Sequence, residues 1–185
     1  MAWIKMIDED KAEGVLKEYY ENIKDSRGKL ANIHKIHSLN PESLKNHMDL
    51  YLNIMFNKSG LKREEREMIA VVVSSANKCP YCINHHKEAL NYYWNDDEKL
   101  NRFIENYRNI DLTEKRLIML EYAEKLTEKP DMVTRKYIEK LKKAGFNDQN
   151  ILNINLIVSY FNFVNRIVMG LGVEYSEKEI KGYKY

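Results

Sequence analysis

Pro80 constrains this chain more than any other single residue. Proline has no backbone N–H and a φ locked near −65°, so a helix can begin at it but does not run through it. On its N-terminal side, Leu61 to Asn77 opens with a dense charged turn, KREERE, and turns abruptly apolar at MIAVVV. A helix polar at one end and apolar all round at the other passes from surface to interior. On the C-terminal side, Pro80 to Trp94 reads as the next helix, broken by Asn95-Asp96-Asp97. Two helices therefore meet at Cys79-Pro80-Tyr81-Cys82, a corner that holds both cysteines of the chain.

The remaining segments also read as helical. Asp8 to Asp25 carries Val15, Leu16, Tyr19, Tyr20 and Ile23 at helical spacing and ends at the SRG of 26–28. Leu30 to Leu39 places Ile33, Ile36 and Leu39 on one stripe; its His34 and His37 lack a third ligand nearby in sequence, so they read as two partly exposed helical histidines. Asn40-Pro41 is a helix start, with Asn as cap and Pro in first position, and the apolar face continues through Leu44, Met48, Tyr51, Leu52, Met55 and Phe56. Asp97 to Asn109 is a further amphipathic helix, and Thr113 caps another that runs to Lys129 with Leu117, Leu120, Ala123 and Leu126 as its buried stripe. Thr134 caps a short helix to Ala144, closed by Gly145. Asn147 opens a last segment too apolar for a surface helix, which belongs in the core or an interface, and the dozen residues from Tyr175 onward read as a polar tail. Ile151 to Val173 faintly echoes Glu67 to Leu90, each an apolar helix, an interruption and a second helix. No segment alternates convincingly as a strand. The expected architecture is all-α, a single-domain multi-helical bundle over 1–185 with a redox core near 61–95 and a C-terminal helical half near 113–175.

Composition narrows the function. Thirty basic against 28 acidic residues, net +2, with no long single-sign block, give no electrostatic reason for nucleic acid or anionic lipid as partner. No uninterrupted apolar run approaches about 18 residues, which excludes an obvious membrane span. MAWIKMIDEDKAEG lacks the layout of a signal peptide, so the expected location is cytoplasmic. There a CxxC cycles through the dithiol form and does not serve as a structural disulfide.

If Pro80 begins a helix, Cys79 is its N-cap and Cys82 lies in the first turn, with His86 four residues on along the same face and His85 on a neighbouring line. Backbone N–H groups and the helix dipole stabilise a thiolate at that end, and an imidazole one turn away accepts its proton. The dipole and exposure favour Cys79 as nucleophile; the i,i+4 histidine favours Cys82. A zinc site lacks a fourth protein ligand, and haem attachment needs a histidine where Ile83 stands. The absence of a βαβ pattern excludes a thioredoxin fold, and Lys78, Asn84, His85 and His86 argue against inert buried thiols. Glu67 is the last acid before the apolar stretch, the one best placed to be desolvated and to act as a base.

Glu67, eleven residues, Cys79, two residues, Cys82, three residues, His86: this spacing resembles the alkylhydroperoxidase D-like branch of the carboxymuconolactone decarboxylase superfamily. GLKREERE before it and FNFVNR…GLGVE at 161–174 resemble the peroxidase-related subgroup in particular. The resemblance implies an all-helical obligate homo-oligomer with active sites near subunit contacts. It implies Cys82 as peroxidatic cysteine, Cys79 as the more exposed resolving partner, and Glu67 with His86 as a proton relay through water. It also implies a small-molecule hydroperoxide as substrate and a thiol or a lipoyl- or thioredoxin-type dithiol carrier as reductant, with no metal or other cofactor. Decarboxylases of the superfamily lack the cysteine pair. Tyr81 departs from members that carry a histidine just before the second cysteine, which leaves the relay to Glu67 and His86, with His85 as a further imidazole nearby. Besides the peroxidase, two other readings use the same dithiol: a disulfide reductase, and a redox-sensing oligomer without turnover.

Overall fold

The computed structural model describes residues 2–183, and among these every regular element is helical. In chain order the α-helices are α1 (Gly14–Arg27), α2 (Asn32–Lys35), α3 (Pro41–Phe56), α4 (Arg63–Ala76) and α5 (Pro80–Trp94). They continue as α6 (Asp97–Glu105), α7 (Glu114–Glu128), α8 (Arg135–Lys143), α9 (Asp148–Gly170) and α10 (Glu177–Ile180), with short 3₁₀ turns at Glu9–Lys11, Tyr107–Asn109 and Pro130–Met132.

α4 is the central element. Its residues from Arg66 to Ser74 are all buried, and it packs against α5, α7 and α9. This is the outcome of its sequence: once MIAVVV leaves no polar face, the helix has to be covered on every side. A smaller apolar cluster of Leu16, Tyr20, Ile23, Leu44 and Met48 joins α1 to α3.

α4 and α5 are joined at a tight corner. Lys78 adopts the left-handed conformation (φ 55°), its N–H donates to the Ser75 carbonyl, and the Cys79 N–H donates to that of Ser74. This paired pattern is how a helix terminates in a Schellman motif, usually on glycine. Cys79 thus closes α4 and, one residue before Pro80, caps α5.

The α3–α4 connection is held by Arg66. Its buried guanidinium donates to the carbonyls of Ile54, Asn57 and Leu61 and to Ser59 Oγ. Gly60, at φ 75°, lies so close to the Asn150 amide that a Cβ would collide with it, while that amide and the one on Asn153 donate to the Ser59 carbonyl.

Several expectations change. The first helix starts at Gly14, not Asp8, because Gly14 sits at φ 54° and interrupts the run; Val15 is exposed while Leu16, Tyr20 and Ile23 are buried. Leu39 is exposed, and only four residues of 30–39 are helical. The buried face of α7 is centred on Met119, Leu120, Ala123 and Thr127, with Leu117 and Leu126 at its margins. His34 is buried, its Nδ1 accepting from the Ala31 N–H. The internal echo fails: α9 runs without a break to Gly170, whereas its supposed counterpart turns a corner at Cys79. α9 is long and apolar enough, by length and composition, to cross a membrane, yet half of its apolar window is buried in this fold, where it serves as a core helix. The tail is no loose appendage, for α10 docks beside α5; its positions 184–185 lie outside the described residues.

Arg66→Met should strand four acceptors that the guanidinium now satisfies, three of them backbone carbonyls, and lower stability by about 3 kcal/mol or more, read from urea unfolding. Lys78→Gly should act in the opposite sense, raising stability by up to about 1 kcal/mol by relieving the left-handed backbone.

Candidate active site

The corner fixes the two sulfurs. Cys79 Sγ and Cys82 Sγ are 3.0 Å apart as a hydrogen-bonded pair of free thiols. Both are buried, at 0 % and 2 % exposure, so the difference in exposure expected between them is absent. The apolar end of α4, α9 and the corner itself enclose them, and the neighbouring polar residues do not open the site.

Their environments differ in charge preference. The Cys79 thiol is drawn below its usual pKa, first by the hydrogen bond from Cys82, and further by the N–H groups of Tyr81 and Cys82 at the start of α5; burial opposes this. The Cys82 thiol is pushed well above its usual value by the same hydrogen bond, by burial and by the charge on Cys79, with the Asn165 amide acting against these. The first proton lost therefore belongs to the pair, with negative charge resting at Cys79 and a proton held on Cys82.

Behind the pair stands a buried carboxylate. Glu67 has 0 % exposure, and its Oε2 lies 2.7 Å from His86 Nδ1. Its Oε1 forms an ion pair with Arg63, one turn earlier on α4. Burial works to raise the Glu67 pKa, but Arg63 and His86 outweigh it and hold the group below the usual carboxylate range. A charged carboxylate is thus stable in the core because a guanidinium and an imidazole both face it. The His86 ring is set edge-on against Phe161, 4.4 Å between centroids.

Cys82 and His86 both line one cavity of about 90 Å³, walled by Ile33, Tyr81, Tyr160, Phe161 and Val164 among others. Among the described residues they share no direct hydrogen bond, so a water or substrate oxygen in the cavity is needed to connect them. The Glu67–His86 link needs no such bridge. All four residues singled out from the sequence, Glu67, Cys79, Cys82 and His86, are thus brought together.

His85 turns out differently from a spare proton carrier. Its Nδ1 lies 2.9 Å from the Tyr81 carbonyl and its ring stacks on the Tyr81 ring at 4.3 Å. Its Nε2 is 3.5 Å from Glu179 Oε1, so both nitrogens face protein groups. His34 and His37 gather with His47 from α3, but among the described residues no group of three or more His, Cys, Asp or Glu is arranged to hold a metal ion.

Three contributors were missed in the sequence. Arg63 was recoverable, since it stands four residues before Glu67 on a helix. Asn165 is a polar residue in the apolar run of α9; its amide donates to Ser74 Oγ and interacts with the Cys82 thiol. Glu179 gave no local signal, because its partners Tyr81, Asn32 and His85 are far away in sequence.

Residues 41–98, which contain the whole Glu67–His86 constellation, match the model of the carboxymuconolactone decarboxylase family. A solved peroxidase-related protein of uncharacterised function from Silicibacter sp. TM1040 superposes with a TM-score of 0.86 at 29 % identity, covering 97 % of this chain and 94 % of that one. An alkylhydroperoxidase AhpD-core protein, also uncharacterised, from Ralstonia eutropha JMP134 gives 0.86 at 23 % identity over the same shares. Residues 41–98 thus match the carboxymuconolactone decarboxylase family, and over nearly its whole length the chain is similar to alkylhydroperoxidase D-like, peroxidase-related proteins. The fold is also similar to that of the debrominase Bmp8, solved both free and as a variant with 2,3,4-tribromopyrrole, with a TM-score of 0.74 free and 0.75 bound, at 19 % and 18 % identity, covering 90 % of this chain and 91 % of that one in each case. Among curated proteins, Sestrin-3 of Mus musculus is 23 % identical over 150 residues, 79 % of this chain, and the chain spans only 29 % of the length of that relative.

The buried histidines set an acid limit for this protein. Burial lowers the pKa of His34 well below 6.5 and that of His47 to about 3. Below pH 6.5 the unfolded chain binds protons at these positions that the folded one refuses, so stability falls as pH drops from 6.5 toward 3, by up to about 1.4 kcal/mol per unit per histidine. Urea midpoints measured at pH 7.5 and 5.0 should separate in that sense, and His47→Phe should narrow the gap. Glu67 adds a later loss: its folded pKa lies below 4.5, so its contribution is present above that pH and disappears only as pH falls through the folded value.

Proposed function

We propose that this chain is a thiol-dependent hydroperoxide reductase. The observation that carries the reading is that Cys82 and His86 line the same small cavity, while the resolving sulfur of Cys79 waits 3.0 Å behind the first. In the reaction, the Cys82 proton passes to Cys79 or, through an oxygen in the cavity, to His86. The Cys82 thiolate attacks the terminal peroxide oxygen, the O–O bond breaks, and Cys82 becomes a sulfenic acid. The alkoxide takes a proton from the imidazolium and leaves as alcohol. Cys79 then displaces the sulfenic oxygen as water and forms the disulfide, which an external dithiol reduces by exchange. The balance is one hydroperoxide and two thiols to one alcohol, one water and one disulfide. Glu67 acts through His86, holding its ring by the Oε2–Nδ1 hydrogen bond.

Burial of both sulfurs supports a small substrate over a protein disulfide, which could not approach either cysteine in this conformation. It equally favours a slender dithiol arm as reductant. The reading requires no metal, haem or nucleotide, and includes the cytoplasmic homo-oligomer implied by the family. A second reading uses the same dithiol for reductive removal of halogen from an aromatic ring, the reaction class of the debrominase; the aromatic wall of Tyr81, Tyr160 and Phe161 suits a flat ring.

The pre-reduced, metal-free protein with excess dithiol should consume organic hydroperoxide over many turnovers. Cys82→Ser should abolish consumption. Cys79→Ser should form one sulfenate per chain and stop, and His86→Asn should lower kcat/KM by about a hundredfold. No turnover with any hydroperoxide, alongside turnover of a bromopyrrole, would replace the proposal with the second reading. No turnover of either, with a change in oligomer size on oxidation, would point to a redox sensor.

A further inference from the structure

The C-terminal segment contributes a buried acid to the cysteine corner. Glu179, on the one-turn helix α10, is only 9 % exposed. Its Oε1 accepts the Tyr81 hydroxyl at 2.5 Å and the Asn32 N–H at 2.9 Å, and its Oε2 accepts the Asn32 side-chain amide at 2.8 Å. The Tyr81 hydroxyl in turn accepts the Ile33 N–H at 3.0 Å. Lys29 ties the segment down through the carbonyls of Lys178 and Lys181, and Asn84 of α5 donates to the Tyr175 hydroxyl. Farther on, Tyr183 forms part of the cavity wall with Cys82, Tyr81 and His85.

Tyr81 is the residue between the two cysteines, and its N–H is one of the two that face the Cys79 sulfur. Its side chain is anchored at the tip by Glu179 and on one face by His85. A hydrogen bond at the end of a long rigid ring fixes the backbone at its root more firmly than packing alone, since it removes sliding and rotation together.

We propose that Glu179 is a positioning residue for the cysteine pair: by holding Tyr81 it fixes the N–H groups that cradle the Cys79 sulfur, so that docking of the C-terminal segment makes the dithiol reactive. This rests on the peroxidase reading only for the use made of the thiolate, not for its formation. The charged and titratable groups around the anchor are Tyr81 and His85 from α5, Lys29 ahead of α2, and Tyr183 of the segment itself. Around the sulfurs they are His86 with Glu67 and Arg63, and Tyr160 with His47. The carboxylate of Glu179 is held ionised against its burial by His85, Tyr81 and the Asn32 N–H.

The test is the rate of alkylation of the pre-reduced full chain by iodoacetamide as a function of pH, with folding checked by circular dichroism. The midpoint of the profile reports thiolate formation; the alkaline plateau reports access. Glu179→Ala should move the midpoint upward, so that alkylation at pH 7 slows about tenfold while the plateau is not reduced. Tyr81→Phe, which keeps the ring and loses the donor, should behave alike. Glu179→Gln, which retains an oxygen for the Tyr81 hydroxyl, should stay within about twofold of the parent. Unmoved midpoints in Glu179→Ala and Tyr81→Phe, with only the plateau raised, would overturn the proposal and make the segment a mere cover. Should Glu179→Ala fail to fold, Tyr81→Phe decides by the same criterion. A shifted midpoint in a protein that consumes no peroxide would keep the positioning role and overturn the peroxidase reading alone.

Discussion

A carboxylate buried in the middle of the protein governs how the rest of the site is built. Glu67 carries charge at a position where water cannot reach it, and such a group is tolerated only with close, well-placed counter-charges. Arg63 supplies the counter-charge from the same helix, and His86 supplies a hydrogen-bonding imidazole from α5. The second pairing fixes how α5 is rotated against α4. With one imidazole nitrogen committed to Glu67, the opposite edge of the ring is turned toward the cavity beside Cys82. An apolar residue at this position would pack well enough but would leave the imidazole without a fixed orientation.

The two sulfurs differ in electrostatics and in access to the cavity. Cys79, at the capping position, is the better site for negative charge, while Cys82 borders the cavity. With the sulfurs in hydrogen-bond contact, moving a proton a short distance shifts the negative charge from Cys79 to the sulfur beside the cavity. The two sequence arguments that divided the nucleophile between Cys79 and Cys82 are therefore both reflected in the structure, as properties of a coupled pair.

Much of this was legible in the sequence because it is local. Pro80 marked the start of α5 to the residue; Asn40, Thr113 and Asn147 each accept the expected capping N–H; and the all-round apolar MIAVVV placed α4 in the centre. The spacing of Glu67, Cys79, Cys82 and His86 anticipated their proximity because two helices joined at a tight corner leave little freedom between them. What failed depended on context. Gly14 could equally have continued a helix, and the apolar run of α9 could have broken as α4 does. The segment from Tyr175 reads as solvent-exposed until the partners for Glu179 come into view, and nothing near 179 foretells Asn32 or Tyr81.

The site therefore combines contacts of two very different ranges. Cys79 and Cys82 are three residues apart and Glu67 and His86 nineteen, whereas the Tyr81–Glu179 bond spans 98 residues and the Ser74–Asn165 bond 91. Closing short loops costs little chain entropy and long ones cost more, so the α4–α5 hairpin is inexpensive to form on its own and the outer contacts depend on the completed bundle. The proximity of the two thiols thus rests on short-range contacts, and the Tyr81–Glu179 bond on long-range ones. On the proposed positioning role of Glu179, a chain whose C-terminal segment has not docked would hold its two thiols together in a less reactive form.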